Sequence, residues 1–260
     1  MWRWFRIAAL AILLLIVATG ALLDRLVTAS WGRTLIVGVF PIAADDSPVT
    51  ARYIRSLQKT DFGDIEQFFA REARFFRLAL ARPLQIELYP QAVDHPPRLP
   101  PRAGTLATMS WSLRMRWFAW RATRGRAAQI RVFVLYHDPA RTTSVPHSLG
   151  LQKGLIGVVY AFADQEMNGS NNVVIAHELL HTLGASDKYD AATNLPVFPD
   201  GYGDPTAQPR YPQRDAEIMA GRRAISSGQA EMPLDLDSVV VGEKTAQEIG
   251  WAKRDVVPAT

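Results

Sequence analysis

The sequence predicts an α+β fold: a twisted mixed sheet with two packed helices, a further helix beneath it, and an irregular C-terminal subdomain that closes the unit. Three observations predict it. β-rich or alternating runs recur at 34–40, 84–89, 129–136 and 154–163, with amphipathic stretches between them. A mostly apolar helical run begins at Asn172. Beyond it the chain turns rich in Pro, Gly and Asp, which suits loops better than regular elements. The expected organisation is a targeting segment at 1–23, a linker at 24–32 and one folded domain at 33–260, divided into 33–184 and 185–260.

Composition narrows the function classes. With 48% hydrophobic and 21% charged residues in 260, the chain has globular content for one domain and a short extra segment. The net charge is +4, and Arg3 and Arg6 account for two of those charges, too mild a balance for nucleic-acid binding. There is no cysteine, hence no disulfide framework, no thiolate metal site and no thiol that could mask a metal. Residues 7–23 run without a charge behind Arg3 and Arg6, as in a signal anchor or a signal peptide. The positive-inside rule then puts the chain from about Asp24 on the extracytoplasmic side, periplasmic or extracellular: membrane-anchored, or secreted if the segment is cleaved.

The elements follow in order. TLIVGVF at 34–40 reads as a buried strand that opens the domain. A helical pattern through Ile65, Phe68, Phe69, Ala73, Phe76 and Leu80 ends before Pro83, and LQIELY at 84–89 alternates as a strand. The Pro-rich stretch 95–101 is a loop. Residues 105–123 form a helix with Trp111, Trp117, Phe118 and Trp120 beside Arg114, Arg116 and Arg121, suited to packing on a sheet or to lying at a membrane surface. Strands at 129–136 and 154–163 precede a turn at 168–172, and 245–251 is a short final helix packing Ile249 and Trp251. His95, His137 and His147 read as loop or surface residues, since their spacing links them to no metal.

The chemistry is carried by NVVIAHELLHTLGASDKYD, beginning at Asn172. Val173, Val174, Ala176, Leu180 and Leu183 make the helix largely buried. His177 and His181, four apart, put two imidazoles on one face where they can share a metal ion, with Glu178 beside them to act on a water. Zinc suits neutral imidazole nitrogens and makes water nucleophilic near neutral pH; Glu178 would take the proton and pass it to the leaving amine. Two histidines and a glutamate buried on one helix without a metal would leave polar groups unpaired.

The run from His177 to Asp187 resembles the extended HExxHxxGxxD motif of the metzincin branch of zincin metallopeptidases. That resemblance implies a zinc metalloendopeptidase of zincin-like fold in which Gly184 ends the helix and Asp187 returns as third ligand. Gly184 also fits independently, because glycine accepts the positive φ of a helix C-terminus. Asp190 and, in the manner of the gluzincins, Glu217 are the competing oxygen ligands. The family's methionine turn is best matched by Met219, without the proline that commonly follows it. The family also implies that the strand before the helix, here including Gly157, Val158, Val159 and Tyr160, lies at the sheet edge and pairs with extended protein or peptide substrate. Tyr189 could support the oxyanion or simply pack. Calcium is a secondary candidate ion for the acidic loop 187–204, which matches no EF-hand and reads rather as a wall of the specificity pocket. Two other functions remain in view: a catalytically silent zincin-fold module that binds peptides, and a metal-dependent amidase acting on cell-wall peptides. The oligomeric state is not readable from the sequence.

Overall fold

Alternating side chains build the core on both faces of one sheet. In the computed structural model, which describes residues 30–92, 94–98, 104–152 and 154–253 with Trp4 and Arg6, five strands pair in a mixed sheet. They are β1 (Leu35–Ala43), β2 (Leu84–Leu88), β3 (Ile130–His137), β4 (Leu149–Leu151) and β5 (Ile156–Phe162), in the order β2-β1-β3-β5-β4. The first four in that order run parallel, and β4 lies antiparallel against β5 at the edge. Val37, Val39, Ile130, Val132, Val134 and Val159 point to one face, and Phe40, Ile42, Phe133, Leu135, Ile156 and Val158 to the other, so each face has its own apolar cluster.

Helices cover both faces. On the first lie α1 (Pro48–Ser56), α2 (Gly63–Phe75) and α4 (Asn168–Leu183); on the second lies α3 (Thr105–Ala122). The short α1 was not expected from sequence; the Ser47 hydroxyl caps it by accepting from the Val49 amide at 3.2 Å, and Pro48 fits its first turn. α2 stops earlier than its apolar pattern suggests, where Arg77 takes φ +56°. α3 buries Trp111, Met115 and Phe118 on the sheet and leaves Leu106, Met109, Leu113, Trp117 and Trp120 exposed, so it is apolar on two sides. One face thus packs on the sheet, and the other is exposed.

Beyond α4 the chain forms small pieces: β6 (Ala216–Glu217) paired with β9 (Val239–Val240), the hairpin β7 (Arg223–Ser226) and β8 (Gln229–Glu231), and α5 (Glu243–Glu248). The C-terminal part is tied back to the start of the domain. Trp251 packs edge-on against Trp31 and Phe69, and the Trp31 indole donates to the Ile249 carbonyl at 2.7 Å.

The expectation of a transmembrane anchor, and of the membrane-anchored location resting on it, is corrected here: among the described residues no helix is long and apolar enough to cross a membrane. α3, with 18 residues, carries Arg114, Arg116 and Arg121. The segment 1–23 on which the anchor was read lies outside the described residues except for Trp4 and Arg6.

Phe133 is wholly buried, with ring centroids of Phe40 and Phe118 at 5.3 and 4.9 Å. Phe133→Ala should destabilise the fold by about 3–5 kcal/mol, read as a lower denaturation midpoint at unchanged slope.

Candidate metal centre

Side-chain amides set the start of α4. Asn171 brackets the end of β5, accepting from the Phe162 amide at 3.1 Å and donating to its carbonyl at 2.9 Å, while Asn168 and Asn172 both donate to the Asp61 carbonyl. The helix therefore begins at Asn168, four residues before the apolar run, where the sequence suggested a turn. Val173, Ile175, Ala176, Leu179 and Leu180 sink into the core and leave His177 and His181 facing a cleft of ≈ 640 Å³. Gly184 ends the helix at φ +108°, and the amides of Gly184 and Ala185 return to the carbonyls of His181 and Leu180. The turned chain carries Asp187 back over the two histidines.

Two backbone carbonyls fix the state of the imidazoles. His177 Nδ1 lies 2.9 Å from the Ile218 carbonyl, and His181 Nδ1 lies 2.9 Å from the Ala185 carbonyl. A carbonyl only accepts, so each Nδ1 carries the proton and each Nε2 a lone pair when the ring is neutral. Those two Nε2 atoms are 3.1 Å apart, and Asp187 Oδ1 is 3.3 Å from one and 3.0 Å from the other. Three lone pairs thus converge on one point, an arrangement that could hold a metal ion. For a tetrahedral ion with bonds of about 2.0–2.1 Å, ligand atoms should stand roughly 3.3 Å apart, so the observed triangle fits such an ion. The residues that could hold a metal are His177, His181 and Asp187.

The local electrostatics agree. Burial pushes the Asp187 carboxyl up, but the imidazoles beside it outweigh that and hold it well below the usual carboxylate range. Burial lowers the basicity of His177, while Asp187, Glu178 and the Ile218 carbonyl more than restore it. The cluster attracts positive charge. Glu178 is buried beside it, and its Oε2 has no hydrogen-bond partner. Burial raises its proton affinity above that of an ordinary glutamate, against the pull of both histidines and the Gly150 amide.

The loop bearing Asp187 is strapped down. Lys188, buried, donates from Nζ to the Ser186 carbonyl, the Ser186 hydroxyl and Glu248 Oε2, at 2.6, 2.9 and 2.8 Å. Its own amide donates to the Met219 carbonyl at 2.9 Å. Met219 is fully buried in the tight turn 217–221, adjacent to the Ile218 carbonyl that orients His177. Glu217 lies beneath that turn, accepting from the Ala220 and Gly242 amides and the Thr245 hydroxyl. It is engaged there and does not reach the histidines. Asp190 is likewise occupied, accepting from the Ala192 and Thr193 amides and the Thr193 hydroxyl, and Asp204 caps Thr206. Tyr189 lines the cleft.

The edge-strand expectation is corrected. Gly157, Val158, Val159 and Tyr160 belong to β5, which pairs with β3 on one side; on the other, β4 covers Ile156–Val158, and the Tyr160 amide donates to the Ser148 hydroxyl. The outer position belongs to β4, a three-residue strand too short to show in the pattern. Gly150 in β4 was not singled out by sequence, yet a Cβ there would collide with His181 Cβ and lie 3.2 Å from Glu178 Oε2. Of the histidines read as remote, His147 lines the same cleft, and His137 ends β3 with a buried, unpartnered Nε2.

No family model matches the sequence, and no curated protein matches it. Two crystal structures of wild-type OgpA from Akkermansia muciniphila are similar in fold outline, at 11% and 13% identity and TM-scores of 0.36 and 0.37. The likeness is loose. It covers 84% and 85% of this chain but 60% of those, so the chain spans less than two thirds of their length. The chemistry of the site therefore rests on its own residues.

Gly150→Ala should force β4 away from α4 and destabilise the protein by about 1–3 kcal/mol. Gly228→Ala, where a Cβ would meet nothing within 4 Å, is the control and should be close to neutral in the same thermal or denaturant titration.

Proposed function

We propose that the chain is a zinc-dependent peptidase of zincin type, with His177, His181 and Asp187 as ligands and Glu178 as general base. The observation that carries this reading is the convergence of two imidazole lone pairs and one carboxylate oxygen in a cleft that also holds an unpartnered, buried Glu178 Oε2. A bound zinc ion supplies Lewis acidity and makes water nucleophilic near neutral pH. Glu178 accepts the proton of the attacking water at Oε2 and returns it to the leaving amine nitrogen. Its raised proton affinity suits both halves of that transfer, since a weaker base would not take the proton. Tyr189 stays protonated, because partial burial and the charges of Asp187 and Glu178 raise its pKa, so its hydroxyl is a donor for a developing oxyanion. β4 has no further strand outside it among the described residues, and its backbone can hold an extended peptide along the cleft. Met219 supports the turn that orients His177. Residues 33–260 form the peptidase unit in this reading, with the subdomain division after Gly184.

The test uses the full chain, with metal content by mass spectrometry and cleavage of a peptide library. About one zinc per chain is expected, with activity lost to a chelator and restored by zinc. Glu178→Gln should keep the metal and lose about 10²–10⁴-fold in rate. Asp187→Ala should lose the metal. A chain that binds no zinc, or cleavage indifferent to Glu178→Gln, would sink the reading.

A further inference from the structure

The cleft contains one charged side chain that the proposed chemistry does not use. Arg222 follows directly on the tight turn that orients His177, and its backbone bridges to Glu217, so its Cα is held close to the metal centre. Arg222 lines the cleft, and its side chain makes no ion pair or hydrogen bond with any described residue. The candidate acidic neighbours are already engaged. Glu231 pairs with Arg223 at 3.2 Å, and Asp190 accepts from its own loop. Arg222 also lines a second depression of ≈ 560 Å³ whose walls include the neutral polar side chains of Thr193, Asn194 and Gln229 and the carboxylate of Glu231, which Arg223 neutralises. Asn194, like Arg222, lines both hollows.

Charge balance makes this arginine consequential. No other lysine or arginine among the described residues lines the cleft. A half-buried guanidinium with free donors binds a carboxylate more strongly than one in bulk water, because the pair is less screened. The amides and hydroxyls of Asn194, Gln229 and Thr193 can complete the hydrogen bonds of such a carboxylate, and Arg223 offsets the nearby Glu231.

We propose that Arg222 is a specificity-determining residue that binds an aspartate or glutamate side chain of the substrate, close to the bond that is cleaved. This rests on the peptidase reading for the words "substrate" and "cleaved", but the recognition itself is tested by binding. Acetylated, C-terminally amidated fluorescent peptides differing only in Glu, Gln or Lys at each central position are titrated by anisotropy into zinc-supplemented Glu178→Gln protein, with and without a change at Arg222. At one or two positions Glu should bind about 10-fold more tightly than Gln, and Lys more weakly still. Arg222→Gln should abolish that preference, Arg222→Glu should reverse it in favour of Lys, and Arg222→Lys should retain part of it. Unchanged zinc content and circular dichroism in these variants show that the fold is intact. Equal binding of Glu and Gln peptides, or a preference that survives Arg222→Gln, overturns the proposal. So does a preference for acid seen only when the peptide C-terminus is free, which would assign Arg222 to the terminal carboxylate. An Arg222-dependent preference in a protein that, as wild type, cleaves none of these peptides supports the recognition and removes the peptidase reading alone.

Discussion

Two hydrogen bonds from imidazole Nδ1 to backbone carbonyls govern the rest of this site. They decide the tautomer of His177 and His181, and with it the direction in which each ring offers its lone pair. One carbonyl, at Ala185, exists in that place because Gly184 turns the chain at the end of α4; the other, at Ile218, because the turn 217–221 is held from below by Glu217. The glycine, the buried glutamate and the core methionine turn are parts of one support. Each is remote from the convergence point and each fixes an atom that faces it.

That support is built from buried charge, which the fold has to compensate. Glu217 is satisfied by two amides and a hydroxyl, although burial still pushes its pKa up. Lys188 and Glu248 form a hydrogen-bonded pair with Ser186 between them, and although burial works against it, that contact holds the Glu248 carboxyl below its ordinary value. Removing one partner of such a pair leaves a stranded charge, so the geometry of the loop is specified more sharply than apolar contacts would specify it. Apolar packing, by contrast, fixes the sheet: alternate residues of β1 and β3 divide cleanly between two clusters.

What was legible in the sequence follows from this division. Period-two runs gave the long strands nearly to their ends, since both faces of the sheet are buried and the strands are continuous apolar text. The i, i+4 histidines and the positive φ of Gly184 were legible because helix geometry is local. The true start of α4 was not, because Asn168, Asn171 and Asn172 resemble a turn until Asp61 and Phe162 are in place to receive their amides. β4 was missed for its length, and with it the correct order at the sheet edge. Asp187, Asp190 and Glu217 could be ranked from sequence only by resemblance; loops bonded to their own backbone distinguish them in space. Arg222 carries no local pattern at all, and only the fold brings it to the cleft.

The strap on Ser186 and Lys188 is fastened 62 and 60 residues away, at Glu248. Contacts of that separation form late, after the loop-closure entropy of the intervening chain has been overcome. A chain growing from its N-terminus therefore has both histidines on a finished helix well before the third donor is fixed in position. Until α5 supplies Glu248, the loop that carries Asp187 lacks the partner of its Ser186 and Lys188.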